Sequence, residues 1–453
     1  MVRHEADRES LGLVLSAYEK DTIAARATAP GKGGIGIIRV SGPDAANISN
    51  AIAGRIPEPR YATYARFNDD EGGTIDEGLL LYFPGPDSFT GEDVLEIQGH
   101  GGPVVLDMLL NRVVSLGARH ARPGEFSQRA FLNDKLDLAQ AEAIADLIES
   151  STEAAARGAI RSLQGEFSAL VNQLLAQVIE LRVYVEAAID FPEEEIDFIS
   201  DERVKGRLEE IQVTLASILE QSREGTLLTE GASIVLTGKP NAGKSSLMNL
   251  LTGRQTSIVT DIPGTTRDVI GEVLQLDGIP LRILDTAGIR ESADQIEAEG
   301  VKRAMAAQEE ADLVLHLVDA SQDSGPTDPQ SREVIVLNKI DLVEDVSSLP
   351  DGLPRISART GEGVDQLKAQ LKQMLGVTET EGGGFTARTR HLSALRSAQD
   401  ALADGYSVLI AQQAGELLAE ELRACQKHLS EITGEFSADD LLGEIFSSFC
   451  IGK

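Results

Sequence analysis

Residues 238–245 read Gly-Lys-Pro-Asn-Ala-Gly-Lys-Ser, a match to G-x-x-x-x-G-K-[ST]. No other stretch of the chain constrains its fold as tightly. The pattern needs a strand before it and a helix after it, so that the backbone N–H groups of a glycine-rich loop can wrap a phosphate chain. Both flanks are present: Ser233–Thr237 is an apolar strand candidate, and Leu247, Leu250 and Leu251 open a helical spacing. In such a loop Lys244 reaches the β- and γ-phosphates and Ser245 takes a place on Mg²⁺. Asn241, Ala242, Gly243 and Ser246 complete the cradle. From Gly231 to about Gly376 further short apolar runs alternate with helical segments. They are Leu281–Leu284, Leu313–Val318, Val334–Leu337 and Arg355–Ile356. Alternating units of this kind predict an α/β domain with a parallel sheet covered on both faces. Asp277-Gly278, between apolar runs, predicts a hairpin that adds one antiparallel strand.

Three later motifs select the nucleotide. Asp285-Thr286-Ala287-Gly288 ends a strand, where Asp285 can reach the Mg²⁺ shell and the Gly288 N–H can sense a γ-phosphate. Asn338-Lys339-Ile340-Asp341 ends another. A carboxylate at Asp341 accepts two hydrogen bonds from N1 and N2 of guanine. Adenine has no such donor pair, so binding it would leave a carboxylate unpaired. Ser357-Ala358-Arg359 follows, where a backbone N–H can meet guanine O6. In this order and at this spacing, the motifs resemble the P-loop GTPase family. Between the first two lies Thr260-Asp261-Ile262-Pro263-Gly264-Thr265-Thr266-Arg267-Asp268. A threonine there can close over Mg²⁺ with GTP bound and release on hydrolysis. By resemblance to the GTPase branch with this Gly-Thr-Thr-Arg signature, it is Thr266.

One position departs from the Ras-like pattern. A Gln after D-x-x-G orients the attacking water in Ras-like enzymes, and here Ile289 stands there. Its side chain cannot hydrogen-bond. Candidates to replace it are Arg290, Glu291, Asp294, Glu297 and Glu299. A monovalent cation near the phosphates could take the part of an arginine finger.

The remainder of the 453 residues reads as a multidomain chain. Residues 1–20 look like a tail. Residues 21–135 mix Gly-rich turns, β-like runs (Ile35–Val40, Gly78–Phe83, Val94–Ile97) and a helical stretch, Val104–Val114, as in a small α+β domain. Residues 136–230 turn helical. Ile144, Leu147 and Ile148 share one face, as do Val171, Leu174, Leu175 and Val178, and Leu208, Ile211, Leu215 and Ile218 step by helical turns. Glu193, Glu194 and Glu195 read as an acidic helix start. The α/β domain, 231–376, is followed by a glycine-containing linker, 377–390. Residues 391–453 return to helix and are expected to complete an all-α domain built from two chain segments, with the α/β domain inserted between them.

Composition narrows the partners. The net charge is −32, from 73 acids against 41 Lys and Arg, and aromatics are only 4%. Both argue against a general phosphate-backbone or single-strand binder. The acidity is concentrated in the helical segments: 20 acids against 7 bases in 137–230, and 10 against 4 from 391 onward. Two cysteines, Cys425 and Cys450, form no disulfide framework and no zinc spacing. No apolar run approaches a membrane span, and the start lacks a secretory pattern. The chain reads as cytoplasmic.

With the GTPase motifs placed, the rest of the chain from Asp21 onward resembles the MnmE/TrmE family of tRNA-modification GTPases. The matching stretches are 29–39, 88–93, 98–102 (Gln-Gly-His-Gly-Gly), 122–126, 131–143 and the terminal Phe449-Cys-Ile-Gly-Lys453. The resemblance implies an N-terminal domain that binds a tetrahydrofolate derivative (5,10-methylene or 5-formyl form) and pairs two chains into a homodimer. Arg39, Glu96, Lys135 and Lys453 match the folate-contacting positions, and Cys450 would lie near the one-carbon unit. The resemblance also implies K⁺ as GTPase activator, held by Asn241 with backbone oxygens of Thr260, Ile262 and Thr265. Pro263 removes an N–H from that loop but keeps its carbonyl. Glu297 matches the acid that orients the attacking water through a second water, alongside Lys244 and Thr266 as catalytic residues. The implied activity is GTP hydrolysis coupled to G-domain dimerisation and to modification of wobble uridine 34 at C5 in certain tRNAs. The implied partner is the flavoprotein MnmG (GidA), in a heterotetramer or larger complex. FAD would belong to that partner, because no dinucleotide fingerprint occurs here. Competing readings are a ribosome-assembly type of GTPase switch and a dimerisation scaffold with negligible turnover.

Overall fold

A computed structural model describes residues 21–190, 202–252, 272–276, 278–285, 311–322, 332–375, 384–412, 414–435, 439–449 and 451–452. The chain divides into two compact units. One runs to Ala145 and includes Gly434–Lys453; the other is Asp146–Thr433.

The first unit is a six-stranded sheet with α1 and α2 on one face and α3 reaching the other through Phe126. In chain order it contains β1 (Ile23–Arg26), β2 (Gly36–Ser41), α1 (Ala45–Ala53), β3 (Thr63–Asn68), β4 (Thr74–Phe83), β5 (Val94–Gly99), α2 (Pro103–Ser115), β6 (Arg119–His120) and α3 (Glu125–Leu132). The sheet order is β3-β4-β5-β2-β1-β6. All neighbours are antiparallel except β1 and β6. Side chains alternate across a strand, so Ile38, Val40, Leu80 and Ile97 enter the core with Ile48 and Ile52 of α1 and Leu106, Leu109 and Val113 of α2. Arg39 and Glu96 fall on the opposite face. Gly36 is required by the packing of α2, since a Cβ there would lie 2.6 Å from Leu106 Cδ1.

The helix α4 (Leu138–Glu149) follows. Its start packs through Leu138, Ala141 and Ala145 on Ile445, Phe446 and Phe449 of the C-terminal segment. One sequence expectation changes here. The face assigned to Ile144, Leu147 and Ile148 is not the buried one, and Ile148 is 45% exposed. Small alanines let the helices approach, and this outweighs the larger side chains. Within the compact units, the last twenty residues group with the N-terminal one.

The second unit joins α5 (Glu153–Leu163), α6 (Glu166–Asp190) and α7 (Glu202–Thr229) to a five-stranded sheet and two later helices. The sheet comprises β7 (Ala232–Gly238), β8 (Glu272–Leu276), β9 (Ile279–Asp285), β10 (Leu313–Asp319) and β11 (Glu333–Asn338), in the order β11-β10-β7-β9-β8. Only β8 runs antiparallel, paired to β9 through the Gly278 turn. The helices α8 (Lys244–Thr252) and α9 (Val364–Met374) lie between and after the strands, followed by α10 (Thr389–Gln412) and α11 (Gly415–Thr433). α10 packs on α11 and α7, and α6 packs on α11 and α7. The late helices therefore do join the earlier ones around the sheet insertion. The expected strand Arg355–Ile356 is reduced to one parallel bridge from Arg355 to Leu337.

The stretch expected as a linker, 377–390, is not uniformly loose. Phe385, Thr386 and Ala387 are buried. Phe385 stacks on Phe167 at 4.7 Å, and Thr386 N donates to Ser162 Oγ at 2.9 Å. An aromatic side chain and a satisfied backbone hold this segment despite the glycines before it. The acidic run 193–195 lies outside the described residues.

Candidate functional site

The strand β7 ends in Gly238 and α8 begins at Lys244, so the loop between them sits at the carboxyl edge of a parallel sheet, where α/β folds bind ligands. Both glycines of the loop are sterically required. Gly238 has φ +135°, and a Cβ there would come 2.3 Å from Leu317 O on β10. Gly243 has φ +102°, and a Cβ there would come 2.2 Å from Asn338 Nδ2. Asn241, at φ 65°, takes the left-handed conformation that Asn tolerates better than most residues. Lys244 is buried, and its Nζ donates to Gly238 O at 2.9 Å and Lys239 O at 3.2 Å. The ammonium is thus held on the loop axis by the loop's own carbonyls. Ser245 and Ser246 stand exposed in the first turn of α8.

Asn338 joins the separate motifs. It is 1% exposed. Its Nδ2 donates to Ala242 O in the phosphate loop at 2.8 Å, and its Oδ1 accepts from Ala358 N at 2.9 Å. One side chain therefore pins the phosphate loop, the end of β11 and the Ser357-Ala358 loop together. Ser357, fully buried, donates from Oγ to Asp341 Oδ1 at 2.7 Å and accepts from Thr360 N at 3.1 Å. Asp341 is exposed, so its carboxylate is aimed by Ser357 but still open to a base. Lys339, at φ 65°, pairs with Asp319 at 2.6 Å. Burial pushes the Asp319 carboxyl up, but Lys339 and Ser321 outweigh it and hold it below the usual carboxylate range. The sequence motifs identified the ends of this arrangement. They did not show that Asn338 and Ser357 orient their neighbours.

Several expected residues fall outside the described ones: Thr260, Asp261, Ile262, Pro263, Gly264, Thr265, Thr266, Thr286, Ala287, Gly288 and Glu297, together with Arg290, Glu291, Asp294 and Glu299. For Asp285 the backbone is described, at the end of β9 and opposite Leu236.

A second cluster lies on the face of the N-terminal sheet opposite α1 and α2. The β2–β5 register places Arg39 directly opposite Glu96. Arg39 Nε and Nη2 donate to Glu96 Oε1 at 3.1 and 2.9 Å. Gln98 Nε2 donates to Oε2 at 3.3 Å. Arg39 Nη1 reaches Gly452 O at 3.4 Å, which brings the penultimate residue of the chain onto the sheet. Gly452 has φ +96°, and a Cβ there would meet Arg26 O at 2.1 Å, so only glycine fits the terminal turn. The rings of Phe89 and Phe126 flank the guanidinium at 5.7 and 5.9 Å. Lys135 is exposed after α3, and among the described residues no hydrogen bond or ion pair joins its side chain to Arg39 or Glu96. Lys453 and Cys450 lie outside the described residues. Sequence reasoning held Phe89, Phe126, Gln98 and Gly452 within the family stretches but gave none of them a role in the site. Strand register would have found Gln98, two residues from Glu96 on the same face.

Beside this cluster a charged network ties the unit together. Arg129, fully buried, donates to Asp21, Glu92 and Glu125. Arg119 donates to Asp21 and Glu125. Burial raises the Glu125 carboxyl, but the Arg119 guanidinium, the Arg122 N–H and Arg129 bring it down to about 2.

Comparison with known proteins places the chain in a family. A family model described as the MnmE helical domain matches residues 138–450, and one described as the GTP-binding protein TrmE N-terminus matches 22–135. Relatives named tRNA modification GTPase MnmE, from Yersinia pseudotuberculosis serotype IB (strain PB1/+) and Stutzerimonas stutzeri (strain A1501), are 55% and 57% identical over 451 residues. Each alignment covers 96% of this chain and 99% of the relative. The solved G domain of the T. maritima FeoB iron transporter is similar at 23% identity, covers 32% of this chain and 98% of its own, and has a TM-score of 0.23.

Proposed function

The chain belongs to the MnmE family of tRNA modification GTPases, and from that premise we propose that it uses a tetrahydrofolate one-carbon unit and GTP hydrolysis to modify tRNA. The modification is at C5 of wobble uridine 34, an aminomethyl or carboxymethylaminomethyl group. It is made in the cytoplasm by a homodimer working with the flavoprotein MnmG.

The observation that carries the folate reading is the Arg39–Glu96 pair, covered by Gly452 O and flanked by two phenylalanine rings. These residues fit a reduced folate. Glu96 can accept from the donors of a pterin ring, Arg39 suits a glutamyl carboxylate, and the rings supply apolar surface. Lys135 and Lys453 would add positive charge along the tail. A folate bound there would supply the one-carbon unit, while the protein's part is to orient it and limit water.

In the GTPase site, Lys244 neutralises the phosphates and Asp341 selects guanine. Ser245, an exposed hydroxyl beside the buried Lys244, fits Mg²⁺, with Thr266 as the second ligand and Asp285 behind it. Asn241, at the crest of the loop, fits K⁺ with the backbone of Thr260, Ile262 and Thr265. Glu297 orients the attacking water, a task that Ile289 cannot perform.

Four experiments test this. GTP turnover by the full chain is compared in KCl and NaCl; equal slow rates defeat the cation mechanism. Glu297→Ala with unchanged turnover removes that residue's role. Reduced-folate binding is titrated for the full chain and for a chain lacking 450–453. No binding by either sinks the folate assignment. Nucleoside mass analysis of tRNA from cells lacking the gene then checks the substrate, and unchanged wobble uridines would overturn the reading.

A further inference from the structure

The hairpin between β8 and β9 makes its turn at Gly278, and a helix of the same unit grips that turn. Thr152 is the N-cap of α5 and is 7% exposed. Its Oγ1 accepts from Ala155 N at 3.0 Å, capping the helix. The same hydroxyl donates to Gly278 O at 2.6 Å. Gly278 has φ +95°, and a Cβ there would lie 2.7 Å from Ala154 Cβ, so the first turn of α5 lies flush against the hairpin.

The other end of α5 is anchored too. Ser162 Oγ donates to Thr386 O at 2.9 Å and accepts from Thr386 N at 2.9 Å. A Cβ on Gly158 would come 3.2 Å from Gly384 O. The helix is therefore a strut of 11 residues, about 16 Å at 1.5 Å per residue. It runs from the hairpin turn to the segment that enters α10. At the root of the sheet, Gly231 has φ +75° and no room for a Cβ, with Pro280 O 2.4 Å away. Leu227 and Leu228 of α7 pack on the sheet core.

The sequence ahead of β8 is the threonine-rich segment 260–268, and β9 leads into Asp285-Thr286-Ala287-Gly288. In GTPases these two segments are ordered by γ-phosphate and Mg²⁺ and are released on hydrolysis. The hairpin links them covalently. Any change of tilt in β8–β9 must either carry Thr152 with it or break its bond.

We propose that Thr152 is a positioning residue for the GTP-coupled step: its hydroxyl ties the hairpin turn to α5, which delivers the nucleotide state to the helical bundle at Thr386. The proposal rests on the reading that GTP hydrolysis is coupled to the modification of tRNA. The bond to Gly278 O performs the transmission, and the cap on Ala155 N keeps the strut intact while it does so.

The test uses the full chain and separates these two bonds. Thr152→Ser keeps both, Thr152→Val keeps the shape and loses both, and Thr152→Asp keeps the cap acceptor but has no proton to donate. Hydrogen exchange of the α5 amides is followed with GDP and with a non-hydrolysable GTP analogue. GTP turnover and modified tRNA nucleosides are measured alongside. Exchange in α5 is expected to depend on the nucleotide in the wild type and in Thr152→Ser. It should lose that dependence in Thr152→Val and Thr152→Asp, with turnover within about twofold and modification down about tenfold, the scale of one hydrogen bond. A merely structural role would shift exchange equally with both nucleotides and would overturn the proposal. So would wild-type exchange that ignores the nucleotide. Ser162→Ala acts at the far end of the strut and should uncouple in the same way. Retained coupling there overturns the strut even if the Thr152 variants fold poorly. A wild type that modifies no tRNA would count against the functional reading alone, because the exchange measurement does not depend on it.

Discussion

The side-chain amide of Asn338 stands where a β-carbon on Gly243 would have to be, 2.2 Å from that point, while it donates to Ala242 O at 2.8 Å. Two motifs separated by almost a hundred residues thus define each other's shape. The glycine makes room for the amide, and the amide holds the loop that carries the glycine.

Asn338→Ala should therefore weaken guanine-nucleotide binding although the side chain need not touch the base. It leaves Ala242 O and Ala358 N without their partner. Unmade buried hydrogen bonds cost about 1–3 kcal/mol each, so with two of them affinity should fall by roughly thirtyfold or more. Titration with a fluorescent GDP checks this, and affinity within twofold of wild type would exclude the role.

Asp341→Asn should change the preferred base rather than abolish binding. In the proposed site the carboxylate would accept from guanine N1 and N2, whereas an amide can donate to the O2 of xanthine. Loss of a matched buried polar contact discriminates strongly. Competition of GDP against XDP reads the ratio directly. A variant that still prefers GDP as strongly as wild type would contradict the assignment of Asp341 to the base.

Glu125 predicts an acid-sensitive N-terminal unit. Its folded carboxyl sits at about 2, against 4.5 for a free glutamate. A depressed folded value stabilises above the unfolded value, and that contribution is lost as pH falls through about 2. Glu125→Gln should cost about 3 kcal/mol near neutrality, because it leaves buried guanidinium charge uncompensated. The gap to wild type should narrow steadily from pH 5 toward pH 2. Urea unfolding at a series of pH values measures it, and a gap independent of pH would refute the account.

Cys425 should be inert in the native protein. It is fully buried, and burial pushes its thiol up to about 12. The thiolate is the reactive form, so iodoacetamide should leave Cys425 unmodified until urea is added. Peptide mass mapping decides this, and rapid native labelling would mean that the helical core opens readily.

The elements legible in the sequence were those with strong local signals. The apolar runs at 233–237, 313–318 and 334–337 became β7, β10 and β11, and Asp277-Gly278 became the β8–β9 turn. The steps of Val171, Leu174 and Val178, and of Leu208, Ile211 and Leu215, are buried as the helical period required. Short or mixed elements such as β1, β3, β6 and α1 carried no such pattern. The face of α4 was misread because Ala141 and Ala145 are weaker signals than Ile148, although close helix packing favours them.

Sequence by itself determined the chemistry at the phosphate loop. A lysine, a serine and two obligatory glycines in that order leave few alternatives, because each residue type performs a task the others cannot. It also named the candidates for a folate, through the family resemblance that matches Arg39 and Glu96 to folate-contacting positions. Tertiary structure alone decided that Gly452 closes over Arg39, that Asn338 pins three loops at once, and that Thr152 grips the turn at Gly278. Each of these is a hydrogen bond between residues about a hundred or more positions apart at its widest span. Hydrophobic period and turn chemistry describe only near neighbours along the chain, so such bonds leave no local trace. They exist because the packed sheet and helices bring the partners together, and burial then makes leaving them unpaired costly.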